Sequence, residues 1–131
     1  IVCCEINFKN EKFLIMCIYA PNSTSEQKIF IDELFKMNLQ KYKNIIIGGD
    51  FNCEMSDKEN KKINEKEWER LVKSIKLKEV ENKSNKNYTW LSGDRKSNID
   101  RFFVKSKCNF RFNFEENFST GVSDHNLIII N

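Results

Sequence analysis

The chain has 131 residues, of which 40% are hydrophobic and 31% are charged, and its formal net charge is +3. This length and composition are those of one globular domain with its own core, and they exclude an array of several domains. The small basic surplus, with a sequence pI ≈ 8.6, permits a polyanionic partner but does not require one. No apolar run approaches the roughly 20 residues that span a bilayer, so we expect no membrane partner.

The first half of the chain predicts two strands, a helix and a third strand. Residues 1–8 and 13–19 are apolar, β-favouring runs joined by a polar turn, which is typical of a hairpin. Residues 23–26 have the spacing of a helix capping box, and apolar residues follow at helical spacing. We therefore predict an amphipathic helix over about 25–41. The apolar run at 45–47 then predicts a buried strand.

The cysteines are spread along the chain without a C-x-x-C pair: Cys3, Cys4, Cys17, Cys53 and Cys108. Their number is odd and several lie in apolar strand patterns, which favours buried free thiols in a reducing compartment over disulfides. We therefore expect an intracellular protein, nuclear or cytoplasmic, and not a secreted one. A single histidine disfavours a zinc site, so any metal should be a hard ion such as Mg²⁺ or Mn²⁺.

The strand at 45–47 leads into two glycines and then into polar residues. Gly48 and Gly49 stop the strand and let the backbone come close to a ligand, because neither carries a Cβ. Asp50 and Asn52 follow on one side of the chain by the period-2 alternation. Taken alone, this stretch is also explained by an ordinary strand-to-loop turn, since Gly, Asp and Asn are turn residues.

The second half predicts one more helix and four more strands. Residues 56–66 are charge-rich and predict a loop, with Asn64 and Glu67 as a plausible helix cap. Four apolar residues then sit at i, i+3, i+4 and i+7, namely Trp68, Leu71, Val72 and Ile75. The run 76–87 reads as a solvated connection, and the predicted strands are 88–91, 99–104, 109–114 and 127–130, with a loop at 92–97. We interpret residues 1–131 as a single layered α/β domain.

Three polar clusters stand at the ends of predicted strands. Asp50 and Asn52 form the first, Asp100 precedes the strand 99–104, and Asp124 with His125 precedes the last strand. An imidazolium held by a carboxylate can neutralise charge that develops on phosphate oxygens. A second carboxylate can orient a water or hold Mg²⁺. The clusters therefore predict one site at a sheet edge that hydrolyses a phosphate ester.

Five motifs occur in a fixed order: Ile18-Tyr19-Ala20-Pro21-Asn22, Gly48-Gly49-Asp50-Phe51-Asn52, Tyr88-Thr89-Trp90, Ser97-Asn98-Ile99-Asp100 and Ser123-Asp124-His125. Together they resemble the endonuclease/exonuclease/phosphatase superfamily over nearly the whole chain. The resemblance is closest to the endonuclease domains of non-LTR retrotransposons. It implies a DNase I-like four-layer α/β/β/α sandwich and a Mg²⁺- or Mn²⁺-dependent cleavage of phosphodiesters in DNA.

The same resemblance implies roles for individual residues. The catalytic set is Tyr19 at the scissile phosphate, Asp50 at the attacking water, Asn52 beside the phosphate, Asp100 paired with the histidine, Asp124 near the metal and water, and His125 on the phosphate. The implied metal ligands are Asp124 and Asp50. The 88–90 strand and the 92–97 loop resemble a hairpin that touches DNA beside the cut, which makes Thr89, Arg95 and Lys96 the implied nucleic-acid contacts.

Two motifs of the family have no counterpart here: an Asn on its first strand, and a Glu on the next strand that is the principal metal ligand. We therefore expect an incomplete domain that lacks its N-terminal strands and leaves a sheet edge and apolar surface open. The chain starts on Ile1 with neither Met nor a signal peptide. We expect it to be part of a larger polyprotein that includes a reverse transcriptase. Three hypotheses stay open: a DNA endonuclease of a retrotransposon-like element, a catalytically inactive remnant or binding module, and a phosphomonoesterase of the same superfamily.

Overall fold

The computed structural model of the chain describes residues 1–55, 59–81, 88–105, 114–117 and 123–130. Within these ranges there are two α-helices, α1 (Thr24–Lys36) and α2 (Ile63–Ile75). The strands are β1 (Val2–Phe8), β2 (Glu11–Tyr19), β3 (Asn44–Asp50), β4 (Lys78–Glu79), β5 (Trp90–Ser92), β6 (Arg95–Ser97), β7 (Asp100–Lys105), β8 (Phe114–Asn117) and β9 (Leu127–Ile130).

The main sheet has five strands in the order β1-β2-β3-β7-β4. β2 and β3 are parallel, so both end at the same edge, and Tyr19 lies opposite Asp50. β3 and β7 are antiparallel, so β7 begins at that edge, and Asp50 lies opposite Asp100. The topology thus brings the polar ends of three strands to one edge of the sheet.

Helices α1 and α2 cover one face of this sheet and form the core with it. The buried side chains include Met16 and Ile47 from the sheet and Leu34 and Trp68 from the helices. The ring of Phe51 packs edge-on against Trp68 at a centroid distance of 4.9 Å, just beyond the end of β3. Packing of this residue anchors the turn that follows the strand. Among the described residues, no helix combines the length and the apolar composition of a membrane-crossing segment.

β3 and its neighbours can approach closely only because Gly48 and Gly49 have no side chain. A Cβ on Gly49 would stand 2.0 Å from the carbonyl oxygen of Ile18 on β2, and the φ of Gly49 is +138°. A Cβ on Gly48 would stand 2.3 Å from the ring of Phe102 on β7. The two glycines therefore serve the packing of the sheet itself, in addition to ending the strand.

Both helices depart from the predicted boundaries. α1 ends at Lys36 and not near residue 41, because Asn38 takes the left-handed conformation with φ +49°, and a short 3₁₀ turn follows. α2 begins at Ile63, and its cap is not the predicted Asn64 and Glu67 pair. Instead, the Glu65 carboxylate accepts from the backbone N–H of the preceding Lys62.

Parts of the predicted loops are ordered elements. Within the predicted connection 76–87, residues Lys78–Glu79 form β4 at the edge of the main sheet, and residues 82–87 lie outside the described ranges. The predicted loop 92–97 holds the last residue of β5 and all of β6, which pair as a two-strand hairpin. Of the predicted strand 109–114, only the last residue is described, where β8 begins and pairs with β9 to form a second sheet.

The outer edge of the main sheet is open in the described part of the chain, as predicted. β1 pairs only with β2, and all seven of its residues are exposed, with Val2 71% exposed and Phe8 48% exposed. The prediction of buried thiols is wrong for Cys3 and Cys4 on β1 and for Cys17 on β2, which are exposed, and it is confirmed for Cys53. Cys108 lies outside the described residues.

Candidate active site

The centre of the candidate site is a pair of carboxylates at the edge where β3 ends and β7 begins. Asp50 and Asp100 face each other across the two strands. One more hydrogen bond continues the pairing of these strands beyond the end of β3: the N–H of Phe51 donates to the carbonyl of Ile99 at 2.9 Å. Asp50 itself is buried, with 9% of its surface exposed.

The imidazole of His125 lies beside both carboxylates. Its Nδ1 is 2.9 Å from Oδ2 of Asp100, and its Nε2 is 4.0 Å from Oδ2 of Asp50. An ionised carboxylate can only accept a hydrogen bond, so Nδ1 carries the hydrogen and donates it. This fixes the ring and leaves Nε2 directed towards Asp50. The three residues predicted from separate parts of the chain thus come together, with one ligand atom of each within 4.8 Å of the others.

The site holds protons more tightly than isolated side chains would. Burial alone would lower the pKa of His125, but the hydrogen bond to Asp100 and the attraction of Asp100, Asp50 and Asp124 outweigh burial, so the pKa of His125 is raised. The pKa of Asp50 is also raised, chiefly by burial and further by the negative charges of Asp100 and Asp124, against the opposing N–H of Asn52 and the charge of His125. Both groups therefore keep a proton to a higher pH than they would in water.

Backbone hydrogen bonds from β5 and the residue before it fix the position of His125. Trp90 forms a β-bridge with His125. The N–H of Leu91 donates to the carbonyl of Asp124 at 2.9 Å, and the N–H of Asn126 donates to the carbonyl of Thr89 at 2.7 Å. The segment Ser123-Asp124-His125 is therefore fixed by backbone bonds to residues 89–91, which sets the position of the imidazole.

Asp124 lies next to this group but is not one of the three converging side chains. Its Oδ2 accepts a hydrogen bond of 2.8 Å from the indole Nε1–H of Trp90. Its charge still reaches the site, because it contributes to the raised pKa values of Asp50 and His125. The sequence did not assign the Trp90 indole a partner. An indole is an amphipathic group that usually finds an acceptor, but the sequence cannot say which one.

Thr89 is the residue whose predicted role the structure corrects. Its side chain was expected to contact nucleic acid, but it is fully buried, with 0% exposed. Its Oγ1 accepts from the backbone N–H of Asp100 at 2.9 Å and from that of Ile99 at 3.2 Å. The hydroxyl therefore holds the start of β7, and with it the Asp100 carboxylate, rather than a ligand.

The Asn52 side chain is committed to the protein. Its Nδ2 donates to the carbonyl of Ala20 at 2.7 Å, and its backbone N–H donates to Oδ1 of Asp50 at 2.8 Å. Its φ is +46°, a left-handed conformation that asparagine adopts more readily than most residues. Tyr19, at the end of the neighbouring β2, is 68% exposed and lies opposite Asp50. Both residues therefore stand at the same edge of the sheet as Asp50.

The predicted DNA contacts Arg95 and Lys96 stand on the β5–β6 hairpin next to the site. Both are exposed, and the ammonium of Lys96 lies 4.9 Å from the ring centroid of Tyr88. Cationic groups on an exposed hairpin can reach phosphates of a backbone. The side chain of Arg101, by contrast, is buried and bonds Glu79 and the carbonyl of Asn98. Arg101 therefore has a structural role, and the sequence, in which it stands next to Asp100, did not predict that role.

A divalent cation fits this group of side chains in part. Asp50, Asp100 and His125 could supply two oxygen ligands and one nitrogen ligand. Hard cations such as Mg²⁺ prefer oxygen ligands and need about six in total, so water or further residues must complete the shell. The buried, like-charged carboxylates of Asp50 and Asp100 are the feature that a cation would stabilise, because its charge offsets their repulsion.

Comparisons with known proteins show the family and the fold of the chain. Residues 13–129 match the family described as Endonuclease-reverse transcriptase. The endonuclease domain of TRAS1, a telomere-specific non-LTR retrotransposon, has a TM-score of 0.78 at 13% identity, over 99% of this chain and 60% of that one. A comparison with curated protein sequences gives no match.

Two further solved structures share the fold. The 3′ phosphatase NExo from Neisseria, bound to product DNA hairpin, has a TM-score of 0.64 at 13% identity, over 98% of this chain and 63% of that one. A variant of beta toxin from Staphylococcus aureus with bound magnesium ions has a TM-score of 0.59 at 14% identity, over 96% of this chain and 55% of that one. The fold is therefore DNase I-like, and the chain spans less than two thirds of the length of each of these structures.

Proposed function

Because the chain belongs to the endonuclease-reverse transcriptase family, we propose that it carries part of the active site of a metal-dependent DNA endonuclease from a retrotransposon-like element. The observation that carries this proposal is the contact of His125 with Asp100 at 2.9 Å and its approach to Asp50 at 4.0 Å. A clamped imidazole between two carboxylates is suited to in-line hydrolysis of a phosphodiester, in which water attacks phosphorus and the 3′ or 5′ oxygen leaves.

In this proposal each side chain has a separate task. Asp50, whose pKa is raised by burial, accepts a proton from the attacking water or orients it. His125 is kept protonated by Asp100 and donates from Nε2 to a non-bridging phosphate oxygen. Asn52 and Tyr19 border the scissile phosphate at the ends of β3 and β2. The imidazolium of His125 stabilises the charge that grows on the phosphate oxygens in the transition state.

The proposed cofactor is Mg²⁺ or Mn²⁺. We propose that it is held by Asp50, which belongs to the three converging side chains, and by Asp124, which lies outside that group but contributes its charge to the site. A bound divalent cation supplies charge neutralisation at the phosphate and lowers the pKa of a water. One neighbour of the same fold is a toxin with bound magnesium ions. We propose that further ligands come from a part of the domain beyond this chain, since the chain spans 60% of the TRAS1 endonuclease domain.

DNA is the proposed substrate. Arg95 and Lys96 on the β5–β6 hairpin are the proposed backbone contacts, while Thr89 is left out because its side chain is buried. Support comes from the family match and from NExo, a neighbour bound to a DNA hairpin. We propose that the protein acts inside the cell as one partial domain, residues 1–131, of a polyprotein with a reverse transcriptase.

A second candidate function is that of an inactive remnant that binds a partner. The exposed strand β1 favours it, because unpaired N–H and C=O groups on an edge strand can pair with another chain. A phosphomonoesterase is a third candidate, and NExo is described as a 3′ phosphatase. The three candidates differ in what they do to DNA, so one substrate panel separates them.

The test is a plasmid-nicking assay with Mg²⁺, using the polyprotein domain that contains this chain, its His125→Ala variant and residues 1–131 alone. We expect nicking by the larger domain, no nicking by His125→Ala, and little or none by the isolated chain. Release of phosphate from a 3′-phosphorylated oligonucleotide without nicking would favour the phosphomonoesterase. Nicking by His125→Ala at the wild-type rate would contradict the endonuclease proposal.

A further inference from the structure

Gln27 is a fully buried polar residue in the first turn of α1 that none of the proposed catalytic steps uses. It has 0% exposed surface, although glutamine is usually a surface residue. Its Nε2 lies within hydrogen-bonding distance of three carbonyl oxygens: that of Pro21 at 2.8 Å, that of Asn52 at 2.8 Å and that of Phe51 at 3.3 Å. The hydrogen bonds to these carbonyls offset the cost of burying the amide, so the surroundings of residue 27 require a donor there.

The direction of the Gln27 amide is fixed from its other side. Its Oε1 accepts from Nδ2 of Asn64, on helix α2, at 3.0 Å. Carbonyl oxygens can only accept, so the group facing Pro21 and Asn52 has to be a donor. An amide is the neutral side chain that supplies a donor on one side and an acceptor on the other. A carboxylate or a thioether at residue 27 would leave these carbonyls without a donor.

The carbonyls that Gln27 binds belong to the two loops that border the candidate site. Pro21 follows β2 and the predicted phosphate-contacting Tyr19, and Phe51 and Asn52 follow the Asp50 carboxylate. The same two loops are also tied directly, since the N–H of Ala20 donates to the carbonyl of Asp50 at 2.8 Å. Gln27 adds a bond from the helix layer to the left-handed turn at Asn52, whose φ is +46°.

We propose that Gln27 is a positioning residue of the active site, which holds the Asp50–Asn52 turn against the loop after β2, with Asn64 orienting its amide. This inference rests on the proposed function for its effect on catalysis. Gln27 touches no reacting group. It acts through the backbone of Asn52, and thereby on where the Asp50 carboxylate stands relative to His125.

The chain offers a matched control for a merely structural role. Asn44 is also a buried amide, with 1% exposed surface, and its Nδ2 donates to Oε2 of Glu11 at 3.3 Å and to the carbonyl of Lys12 at 3.2 Å. It lies at the start of β3, so the whole strand separates it from Asp50 at the end. Replacing either amide with an apolar isostere removes buried hydrogen bonds, but only Gln27 is tied to the site.

The experiment compares Gln27→Met with Asn44→Leu in the polyprotein domain, at a temperature at which circular dichroism shows both variants folded. We expect both to lower the melting temperature. We expect Gln27→Met to lower the kcat of DNA nicking by up to about 100-fold with little change in KM, because a small misplacement of a catalytic group has an effect of this size. Asn44→Leu should keep kcat within about twofold of the wild type. Equal kcat values for the two variants would overturn the proposal.

Two further measurements keep the inference separate from the proposed function. If Gln27→Met does not fold, Asn64→Leu takes its place, and it should lower kcat in the same direction by a smaller factor. If the wild-type domain does not nick DNA, the proposed function fails, and the positioning role is then decided by NMR. Gln27→Met should shift the ring signals of His125, which Gln27 does not touch, and Asn44→Leu should not. An unchanged His125 signal in Gln27→Met would overturn the positioning role.

Discussion

Asp50 and Asp100 lie directly opposite each other on antiparallel strands, and both carboxylates approach the imidazole of His125. Like charges directly opposite each other across two strands are destabilising. A protonated His125 offsets this repulsion, since it bonds one carboxylate and attracts the other. The two acids and the base therefore form one electrostatic unit, and a change in any member should be felt by the other two.

The first prediction concerns the pH dependence of that unit. The pKa of His125 is raised in the folded chain above its ordinary 6.5, by the Asp100 hydrogen bond and the nearby carboxylates, which outweigh burial. A raised pKa stabilises the fold fully below pH 6.5, and this contribution is lost as the pH rises through the folded-state pKa. Because His125 is the single histidine of the chain, its ring signals in an NMR titration are assigned without ambiguity.

The partner of His125 supplies the control for this titration. In Asp100→Asn the hydrogen bond loses its charge, so the pKa of His125 should fall and the pH-dependent stabilisation should shrink. Urea unfolding at pH 6 and pH 8 should show a smaller difference for the variant than for the wild type. A His125 pKa that is the same in both proteins would show that Asp100 does not hold the imidazolium.

The second prediction concerns Thr89, whose hydroxyl accepts from the backbone N–H groups of Ile99 and Asp100. In Thr89→Val the side chain keeps its shape, but the two buried N–H groups lose their acceptor. An unsatisfied buried group of this kind costs about 1–3 kcal/mol. We expect the free energy of unfolding to fall by roughly that amount in a urea titration. Thr89→Ser keeps the acceptor and should lose clearly less. A loss in the Ser variant without a loss in the Val variant would mean that packing of the methyl group, and not the hydroxyl, matters here.

Part of this site follows from the sequence, and part does not. The strand ends that carry Asp50, Asp100 and His125 were predicted, because glycines, apolar runs and short motifs mark them locally. The structural role of Thr89 was not predicted, because a threonine in a strand motif looks the same in sequence whether its hydroxyl faces a ligand or a buried backbone group. Gln27 was missed for a similar reason. A glutamine in the first turn of a helix is ordinary on a surface, and only the tertiary packing shows that three carbonyls surround it.

The fold shows the same division. The strand β3 and both helices were predicted from hydrophobic periodicity, which depends on neighbours in sequence. The end of α1 was placed too late, because the left-handed Asn38 interrupts a helical pattern that continues in the side chains. β4 lies within the predicted solvated connection, because the two residues that form it, Lys78 and Glu79, are charged and show no strand pattern. Its pairing with β7 is a non-local contact that no local pattern reports.

The third prediction compares the effects of replacing Trp90 and Trp68 on stability and on DNA nicking. Trp90→Phe keeps an aromatic ring, though a smaller one, and removes the Nε1–H that donates to Asp124 at 2.8 Å. This bond is exposed, so we expect the free energy of unfolding to change by less than about 1 kcal/mol. If Asp124 acts in the proposed reaction, DNA nicking should fall about tenfold or more, since a misaligned carboxylate weakens a stabilising contact. Melting temperature and nicking rate are measured on the same preparation.

Trp68→Phe is the matched control. Trp68 is buried in the core, and its ring packs on Phe51. Its Nε1 has no hydrogen-bond partner among the described residues, so its loss removes packing and no polar contact. We expect it to lower stability more than Trp90→Phe does and to lower nicking less, at a temperature at which both are folded. The reverse order would remove the role assigned to the Trp90 indole.

The fourth prediction concerns Asp50, whose ionised form is proposed for catalysis but lowers the stability of the fold. Its pKa is raised from the ordinary 3.8, first by burial and then by the charges of Asp100 and Asp124, against the Asn52 N–H and His125. The folded state therefore favours the protonated acid, and this contribution is present below pH 3.8 and is lost as the pH rises through the folded-state pKa. Asparagine mimics the neutral acid and keeps an oxygen to accept the N–H of Asn52. We expect Asp50→Asn to unfold at a higher temperature than the wild type at pH 7 and to lose DNA nicking.

The sign of this effect distinguishes Asp50 from an ordinary buried acid. An acid whose pKa is lowered by a partner would lose stability in the same substitution, because its charge is favoured in the fold. The gain should be largest at neutral pH and should vanish near pH 3, where the wild-type carboxyl group is itself protonated. Thermal unfolding of both proteins across this range provides the measurement. A lower melting temperature for Asp50→Asn at pH 7 would show that His125 stabilises the charge more than burial opposes it, and Asp50 would then act as a structural counter-ion instead of a group held for catalysis.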